Sequence, residues 1–238
     1  MINSVNYAII AAGDGSRLVK EGIKTPKPLI EINGEKLIER LIRIFSENNA
    51  GSINVIINSY MKDVEVYLKE IQHSYNVNVI VKSTESSMHS FYELSKIMGE
   101  GKFCMTTVDT IFPEKEFAKY ISDFISCNDT DGSFAVTDFI DDESPLYVGV
   151  NSDNLITGFY DERPVDYKYI SGGIYCLDNS CFQLLDESIK SGKSRMRNFQ
   201  RALIDNNFRI KAFPFTKIVD VDHASDIKTA EEFLRLHI

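Results

Sequence analysis

The stretch Ala11-Ala12-Gly13-Asp14-Gly15-Ser16-Arg17-Leu18 decides the fold class of this chain, because it directly follows the apolar run Tyr7-Ala8-Ile9-Ile10. A short apolar run that ends in glycines is typical of a buried parallel strand that leaves its sheet at the carboxyl end. Ligands of open α/β sheets bind at that edge. The stretch therefore predicts an α/β fold with a ligand site beside its first loop.

The side chains in and after this loop predict an anion-binding site. Gly13 and Gly15 have no side chains, so backbone N–H groups there can face an anion. Arg17 offers a planar guanidinium that matches phosphate oxygens in pairs, and Lys27 adds a point charge. Two glycines after a strand are by themselves equally typical of a structural turn, but the full set of residues indicates a polyphosphate site.

The loop is neither of the two common phosphate-binding motifs. Leu18 stands where the dinucleotide fingerprint has its last glycine, and no Gly-Lys-Ser/Thr follows. Together with Pro26-Lys27-Pro28-Leu29, the stretch 11–18 resembles the signature of the sugar-1-phosphate nucleotidyltransferases, Ala-Ala-Gly-x-Gly-Ser/Thr-Arg-Leu/Met with a downstream Pro-Lys-Pro-Leu. That family makes nucleotide-sugars from a nucleoside triphosphate and a sugar 1-phosphate. The resemblance implies a Rossmann-like nucleotidyltransferase fold of the GT-A type.

Hydrophobic patterning along the chain supports the same architecture. Apolar strands alternate with amphipathic helical patterns, which predicts a three-layer α/β/α arrangement around a mixed, mostly parallel central sheet. We expect one domain over residues 1–238, with a nucleotide-binding part at about 1–112 and an acceptor-binding part at about 113–238. The periodicity predicts strands at 53–57, 77–81 and 103–108 and helices at 37–45, 63–71 and 91–98.

Composition excludes several classes of protein. The 26 basic and 35 acidic residues leave a net charge of −9, which argues against nucleic acid as a partner. The four cysteines form no Cys-x-x-Cys pair and no leading signal segment precedes them, so we expect reduced, mostly buried cysteines. The longest apolar runs are shorter than the ~18 to 20 residues of a membrane span, so we expect a cytoplasmic protein. A monomer or small homo-oligomer is expected.

The serine-rich segment 82–90 follows the third predicted strand, where many members of the family carry residues that pack under the base. Its serines are suited either to donate hydrogen bonds to a base or to cap the next helix, and capping suits Ser86, Ser87 or Ser90. From the loop, the resemblance and this segment we predict the following nucleotide-binding residues: Ala11, Ala12, Gly13, Gly15, Ser16, Arg17 and Ser87.

Two aspartates are candidate ligands of a metal ion. Asp109 ends the fourth predicted strand, where a carboxylate either caps the next turn or holds a hard cation. The resemblance implies that Asp109 binds the Mg²⁺ that bridges the two substrates, and that Asp222 is its second ligand. Asp220 and Asp222 share one side of an extended segment, and Asp226 is predicted to cap a final helix at 227–236.

Two later segments are candidates for the acceptor site. Glu162 and Arg163 resemble the Glu-Lys-Pro of the family's sugar-binding half, although the pair is also typical of an exposed charged turn. Gly172 and Gly173 precede a Tyr at 175, as in the family's Gly-x-Tyr, and two glycines are equally typical of a strand bend. We predict that Glu162, Arg163, Gly172 and Gly173 bind the acceptor.

The predicted chemistry needs no general base. A sugar phosphate is already an anionic nucleophile, so transfer needs in-line positioning and neutralisation of charge. We predict catalytic roles for Arg17, toward the leaving pyrophosphate, and for Lys27, toward the phosphates at the reacting centre; no histidine is assigned one.

Three alternatives remain open at this stage. One is a cytidylyltransferase that acts on phosphocholine, with aromatic residues around a quaternary amine: Tyr147, Phe159, Tyr160, Tyr167 and Tyr169. Another is a GT-A glycosyltransferase that binds metal through Asp220-Val221-Asp222. The third is a non-catalytic nucleotide-binding module.

Overall fold

The structure, a computed structural model, describes residues 4–140 and 143–236 and alternates strands with helices. The strands are β1 (Val5–Ala11), β2 (Glu31–Ile32), β3 (Glu35–Lys36), β4 (Ala50–Ile57), β5 (Val77–Val81), β6 (Lys102–Thr107), β7 (Thr110–Ile111), β8 (Gly132–Thr137), β9 (Tyr147–Val150), β10 (Ile156–Tyr160), β11 (Tyr169–Asp178), β12 (Ile210–Phe215) and β13 (Val219–Asp220). The α-helices are α1 (Ser16–Lys20), α2 (Leu37–Glu47), α3 (Lys62–Ile71), α4 (Ser87–Ser95), α5 (Glu114–Ser126), α6 (Phe182–Lys190), α7 (Met196–Asp205) and α8 (Ala224–Arg235).

One large mixed sheet organises the chain. Within the described residues it has nine strands in the order β10-β9-β11-β6-β1-β4-β5, and β8 and then β12 continue from β11. β1 lies between β4 and β6 and is parallel to both. β11 and β10 run opposite to the other strands of the sheet. The predicted mixed, mostly parallel sheet is therefore confirmed.

Helices cover both faces of this sheet. Side chains alternate between the faces along β1, so Tyr7 and Ile9 enter one apolar cluster and Ala8 and Ile10 enter the other. The first cluster packs against α2, α3, α5 and α8, and the second against α4, α6 and α7. The predicted three-layer α/β/α fold is confirmed, and burial of β1 on both faces explains its unbroken apolar run.

The boundaries of several predicted elements were wrong. The helix predicted at 91–98 is α4, which begins at Ser87 because the side chain of Ser86 accepts a hydrogen bond from the His89 backbone N–H at 3.4 Å. Capping by Ser86 is thus confirmed. The strand predicted to end at Val108 ends at Thr107, so Asp109 lies in the turn between β6 and β7.

The final helix begins three residues earlier than predicted. α8 starts at Ala224 with His223 as its N-cap residue, and Asp226 takes part in the cap from the third position of the helix. The Asp226 carboxylate accepts hydrogen bonds from the backbone N–H groups of Asp222 and His223 at 2.9 and 2.6 Å. This carboxylate therefore fixes the backbone on which Asp222 stands.

The cysteines and the lengths of the helices bear on two further expectations. Cys104, Cys176 and Cys181 are buried, Cys127 is half-buried, and within the described ranges all of these thiols are free, as predicted. Across residues 4–140 and 143–236, no helix is both long enough and apolar enough to cross a bilayer.

Candidate active site

The glycine loop joins β1 to α1 at the carboxyl edge of the sheet. Gly15 has a φ of 60°, a left-handed conformation that glycine adopts without strain, and it precedes the first residue of α1. A Cβ atom at Gly15 would lie 3.6 Å from the Cβ of Lys27. The Lys27 side chain therefore starts directly beside the loop, although the two residues are separated in sequence.

Charged side chains from distant parts of the chain meet next to this loop. The Lys27 ammonium donates to Asp109 Oδ2 at 2.7 Å and to Asp222 Oδ1 at 2.6 Å. The Arg17 guanidinium donates from Nη1 to Asp222 Oδ2 at 2.8 Å. The residues that were predicted separately as phosphate ligands and metal ligands thus form one cluster, which we call the charge cluster: Arg17, Lys27, Asp109 and Asp222.

A short ladder explains why Asp109 and Asp222 are neighbours. β7 and β13 pair antiparallel, with Thr110 opposite Asp220. The Val221 backbone N–H then donates to the Asp109 carbonyl at 3.1 Å. These contacts hold the turn after β6 against the segment before α8, so both carboxylates reach the same edge of the sheet.

Partial burial strengthens the interactions within the charge cluster. Only 10% of the Lys27 side chain and 16% of the Asp109 side chain are exposed. Burial works to lower the pKa of Lys27, but the charge of Asp109 and the hydrogen bonds to both carboxylates outweigh it and raise that pKa. Burial works to raise the pKa of Asp222, but the Lys27 hydrogen bond and charge outweigh it and lower that pKa. Opposite charges thus keep each other ionised.

The donor atoms of the cluster fit a magnesium ion. Asp109 Oδ1 is buried and, among the described residues, has no hydrogen-bond partner. Within the described ranges, no group of three or more His, Cys, Asp or Glu side chains is arranged to hold a metal ion without further ligands. Magnesium needs only one or two carboxylates when substrate phosphates and water complete its shell. Asp109 and Asp222 suit that arrangement.

A second network, which no sequence motif indicates, holds the segment that carries Asp222. The Glu21 carboxylate, which follows α1, accepts from the Ala224 backbone N–H at 2.7 Å and contacts His223 Nδ1 at 2.6 Å. The hydrogen bond to Glu21 raises the pKa of His223. The loop helix and the Asp222 segment are thereby tied together.

A cavity of about 260 Å³, the loop cavity, opens beside the glycine loop. Of the predicted nucleotide-binding residues, the structure places Ala12, Gly13, Gly15 and Ser87 in its wall. Ala11 is buried within β1, and Ser16 begins α1. Lys27, Asp109, Thr84, Glu85 and Ser86 also line the cavity.

A second cavity of about 350 Å³, the arginine cavity, lies next to the first. Ile10, Ser87 and Thr107 line both cavities. The arginine cavity also has these polar or charged residues in its wall: Thr106, Ser171, Tyr175, Arg195, Arg197, Gln200 and Asp220. Two ligands in these cavities would therefore meet at the end of β6.

The predicted acceptor-binding residues separate in the structure. Gly173, with a φ of 74°, lines the arginine cavity, and Gly172 lines a small cavity of about 80 Å³ beside Arg17 and Asp222. Glu162 and Arg163 are exposed after β10 and, as far as the structure describes the chain, line none of these three cavities. Their acceptor-binding role stays a prediction.

Arg195 and Arg197, the two arginines of the arginine cavity, were not predicted from the sequence. Arg195 and Arg197 flank the start of α7, and Arg197 Nη1 pairs with Asp161 at 2.6 Å. Arg195 is exposed and has no ion pair with any described residue. The sequence does contain a signal for this site. Two arginines stand two residues apart at the start of an amphipathic helix, in a chain of net charge −9.

The five aromatic residues that suggested an amine-binding cage lie on or beside the neighbouring strands β9, β10 and β11, where Tyr147 is opposite Tyr160, but their surroundings differ. Phe159 and Tyr169 are buried in the core, whereas Tyr160 is 44% exposed. The rings of Tyr147 and Tyr167 contact each other edge to face, with their centroids 5.0 Å apart. As far as the described part of the chain shows, none of the five lines the arginine cavity.

Parts of the chain are similar in sequence to known cytidylyltransferases. The chain is 30% identical over 114 residues to the 2-aminoethylphosphonate cytidylyltransferase of Lancefieldella rimae. The aligned residues make up 46% of this chain and 45% of that protein. It is 35% identical over 92 residues to the choline-phosphate cytidylyltransferase of Streptococcus pneumoniae. The aligned residues make up 39% of this chain and 38% of that protein. The match therefore spans less than half the length of either relative.

The fold and the family model extend over nearly the whole chain. The structure of the inositol-1-phosphate CTP transferase from T. maritima superposes with a TM-score of 0.82 at 18% identity, covering 98% of this chain and 96% of that one. At this identity the similarity establishes the fold alone. The family model described as nucleotidyl transferase matches residues 7–235. Because that match includes the glycine loop and every member of the charge cluster, the chain belongs to the nucleotidyl transferase family of enzymes.

Proposed function

We propose that this protein is a magnesium-dependent nucleotidyltransferase that transfers a nucleoside monophosphate from a nucleoside triphosphate to a sugar 1-phosphate and releases pyrophosphate. The observation that carries the proposal is the meeting of the two cavities at Thr107, next to the charge cluster. A donor in the loop cavity and an acceptor in the arginine cavity would place their phosphates side by side.

The chain's own residues supply positioning and charge. The phosphate of the acceptor is already an anionic nucleophile, so no side chain has to remove a proton from it. Lys27, in the wall of the loop cavity, neutralises phosphate oxygens around the reacting phosphorus. Arg17 binds the leaving pyrophosphate with its planar guanidinium. Held by Asp109 and Asp222, Mg²⁺ would add a Lewis acid that neutralises phosphate charge.

The walls of the arginine cavity favour a hydroxylated acceptor. Arg195, which forms no ion pair with any residue that the structure describes, offers its guanidinium for the acceptor phosphate. Gln200 and Ser171, joined by a 3.1 Å hydrogen bond, and Asp220 offer polar groups of the kind that bind sugar hydroxyls. Phosphocholine remains the second candidate, because a choline-phosphate cytidylyltransferase is among the relatives at 35% identity. The position of the aromatic residues outside the cavity favours the sugar phosphate.

A pyrophosphate-release assay tests the proposal. Purified protein with Mg²⁺ is given each of the common nucleoside triphosphates together with sugar 1-phosphates, inositol 1-phosphate, phosphocholine or 2-aminoethylphosphonate. We expect release with one triphosphate and a hydroxylated acceptor. Release with phosphocholine alone would instead support the cytidylyltransferase alternative. No release in any combination would contradict the enzyme assignment.

Replacing Arg195 by alanine tests the acceptor site. We expect R195A to raise the KM for the acceptor by about tenfold to a hundredfold, because a charge-assisted hydrogen bond to the phosphate is lost. The KM for the nucleoside triphosphate should stay unchanged, since Arg195 lines only the arginine cavity of the two. R209A, which removes an exposed arginine outside both cavities, is the matched control. Equal effects on both KM values would argue against the acceptor role.

A further inference from the structure

Lys27 holds the position between the two carboxylates that the proposed function assigns to magnesium. Its Nζ atom lies 2.7 Å from Asp109 Oδ2 and 2.6 Å from Asp222 Oδ1. Magnesium binds oxygen at about 2.0–2.1 Å, so an ion held by both Asp109 and Asp222 would compete with the ammonium for the space between the two carboxylates. Two cations cannot share that space.

We propose that Lys27 is the internal counter-ion of the substrate-free site: it neutralises Asp109 and Asp222 until a metal ion replaces it, and then turns to the phosphates of the nucleotide. This inference rests on the proposed function, because that function assigns both carboxylates to the metal. It adds an exchange of partners, in which one cation leaves the carboxylates as another arrives.

The charges of the free site explain why such an exchange is needed. Asp109 and Asp222 carry two negative charges at one sheet edge, and their side chains are only 16% and 38% exposed. Two carboxylates this close and this shielded from water repel each other unless a cation lies between them. Lys27 contacts both, whereas Arg17 contacts only Asp222 of the two. Removing Lys27 therefore leaves Asp109 without its cation.

The local structure allows the ammonium to move while the backbone stays in place. Lys27 begins a short 3₁₀ turn, Lys27–Leu29, and its carbonyl accepts from the Ile30 N–H at 3.1 Å. Pro26 and Pro28 flank it and restrict the backbone. The side chain itself is a flexible four-carbon stem that also lines the loop cavity. Rotation of that stem is sufficient to take the ammonium from the carboxylates into the cavity.

Magnesium bound to a triphosphate supplies both replacements at once. With an ion held by Asp109 and Asp222, the Lys27 ammonium would lose its carboxylate partners and would take the phosphates of the triphosphate as new ones. A metal ion without a triphosphate would take the carboxylates from Lys27 but would give the ammonium no new anionic partner. The ammonium would then lie beside a second positive charge. The free protein is therefore expected to bind divalent ions weakly, and metal and triphosphate should bind cooperatively.

Metal binding to the ligand-free protein tests this inference. Binding of Mn²⁺, a cation that also takes carboxylate ligands, is measured by electron paramagnetic resonance for the wild type, K27M and K24M. We expect K27M to bind Mn²⁺ at least about tenfold more tightly than the wild type, because the competing charge is gone. K24M removes an exposed lysine of the same loop, whose charge is screened, and should differ from the wild type by no more than about twofold.

Further variants decide the outcome. In the double variant K27M/D109N the gain in Mn²⁺ affinity should disappear, because the carboxylate that it depends on is gone. K27Q, which keeps a polar side chain without charge, should show the same gain if K27M does not fold by circular dichroism. Equal Mn²⁺ affinity in the wild type and a folded Lys27 variant, or a gain that survives D109N, would overturn the inference.

The two proposals fail separately. The binding measurement uses neither nucleotide nor turnover, so an inactive acceptor panel together with tighter Mn²⁺ binding in K27M contradicts only the enzyme assignment. Pyrophosphate release by the wild type together with unchanged Mn²⁺ affinity in K27M contradicts only the role of Lys27 as counter-ion.

Discussion

Replacing Asp109 by asparagine is expected to lower kcat by about 10²- to 10³-fold, because the site loses a charged ligand that neutralises the phosphates. Asn has nearly the same shape, and Lys27 keeps its 2.6 Å contact with Asp222, so the fold should persist. The loss therefore reports on charge and metal binding. Pyrophosphate release is measured at saturating substrates over a range of Mg²⁺ concentrations.

A neutral substitution elsewhere controls for the change in net charge. Asp63 is exposed in the first turn of α3, and D63N should retain wild-type kcat. Folding of both variants is checked by circular dichroism and thermal unfolding. If D109N remains folded and keeps its activity, Asp109 does not bind the metal ion, and the assignment of the site fails.

Replacing Arg17 by glutamine is the second prediction with a large effect. We expect kcat to fall by about 10²- to 10³-fold, because no other group in the charge cluster offers a planar donor pair for the leaving pyrophosphate. The Arg17 side chain is 51% exposed, so its ion pair with Asp222 contributes little to stability. The midpoint of thermal unfolding should therefore shift by no more than about 2 °C.

Two variants sharpen the interpretation of R17Q. R17K keeps the charge without the bidentate geometry, so it should recover only part of the lost rate. R235Q removes an exposed arginine at the end of α8 and should leave kcat unchanged. A rise in the KM of the triphosphate with kcat intact would show that Arg17 binds the ground state and the transition state equally, which contradicts the proposed catalytic role.

Local patterns made much of the fold predictable. Alternation, apolar runs and helical stripes depend on neighbours within one turn or strand, and they located β1, β4, β5 and β6 and the three layers. Element ends were less predictable, because they depend on single contacts. Ser86 moves the start of α4, and the Asp226 carboxylate, bound to the Asp222 and His223 backbone, moves the start of α8.

The acceptor side was predicted less completely than the nucleotide side. The glycine loop is continuous in sequence, so its pattern is visible without a structure. The arginine cavity is assembled from β6, β11, the start of α7 and β13, and each contributes only one to a few side chains. Arg195 and Arg197 therefore belong to no continuous motif, whereas Glu162 and Arg163 matched a motif but lie in an exposed loop.

By itself, the sequence determined the family, the fold class and the identity of the four charged residues, because a glycine loop after a buried strand and carboxylates at strand ends are local features. Only the tertiary structure decided that these charges touch. Lys27 lies 82 residues from Asp109 and 195 from Asp222, and their contacts depend on the β7–β13 ladder. Pairing over such distances depends on packing of the whole sheet, which no local pattern encodes.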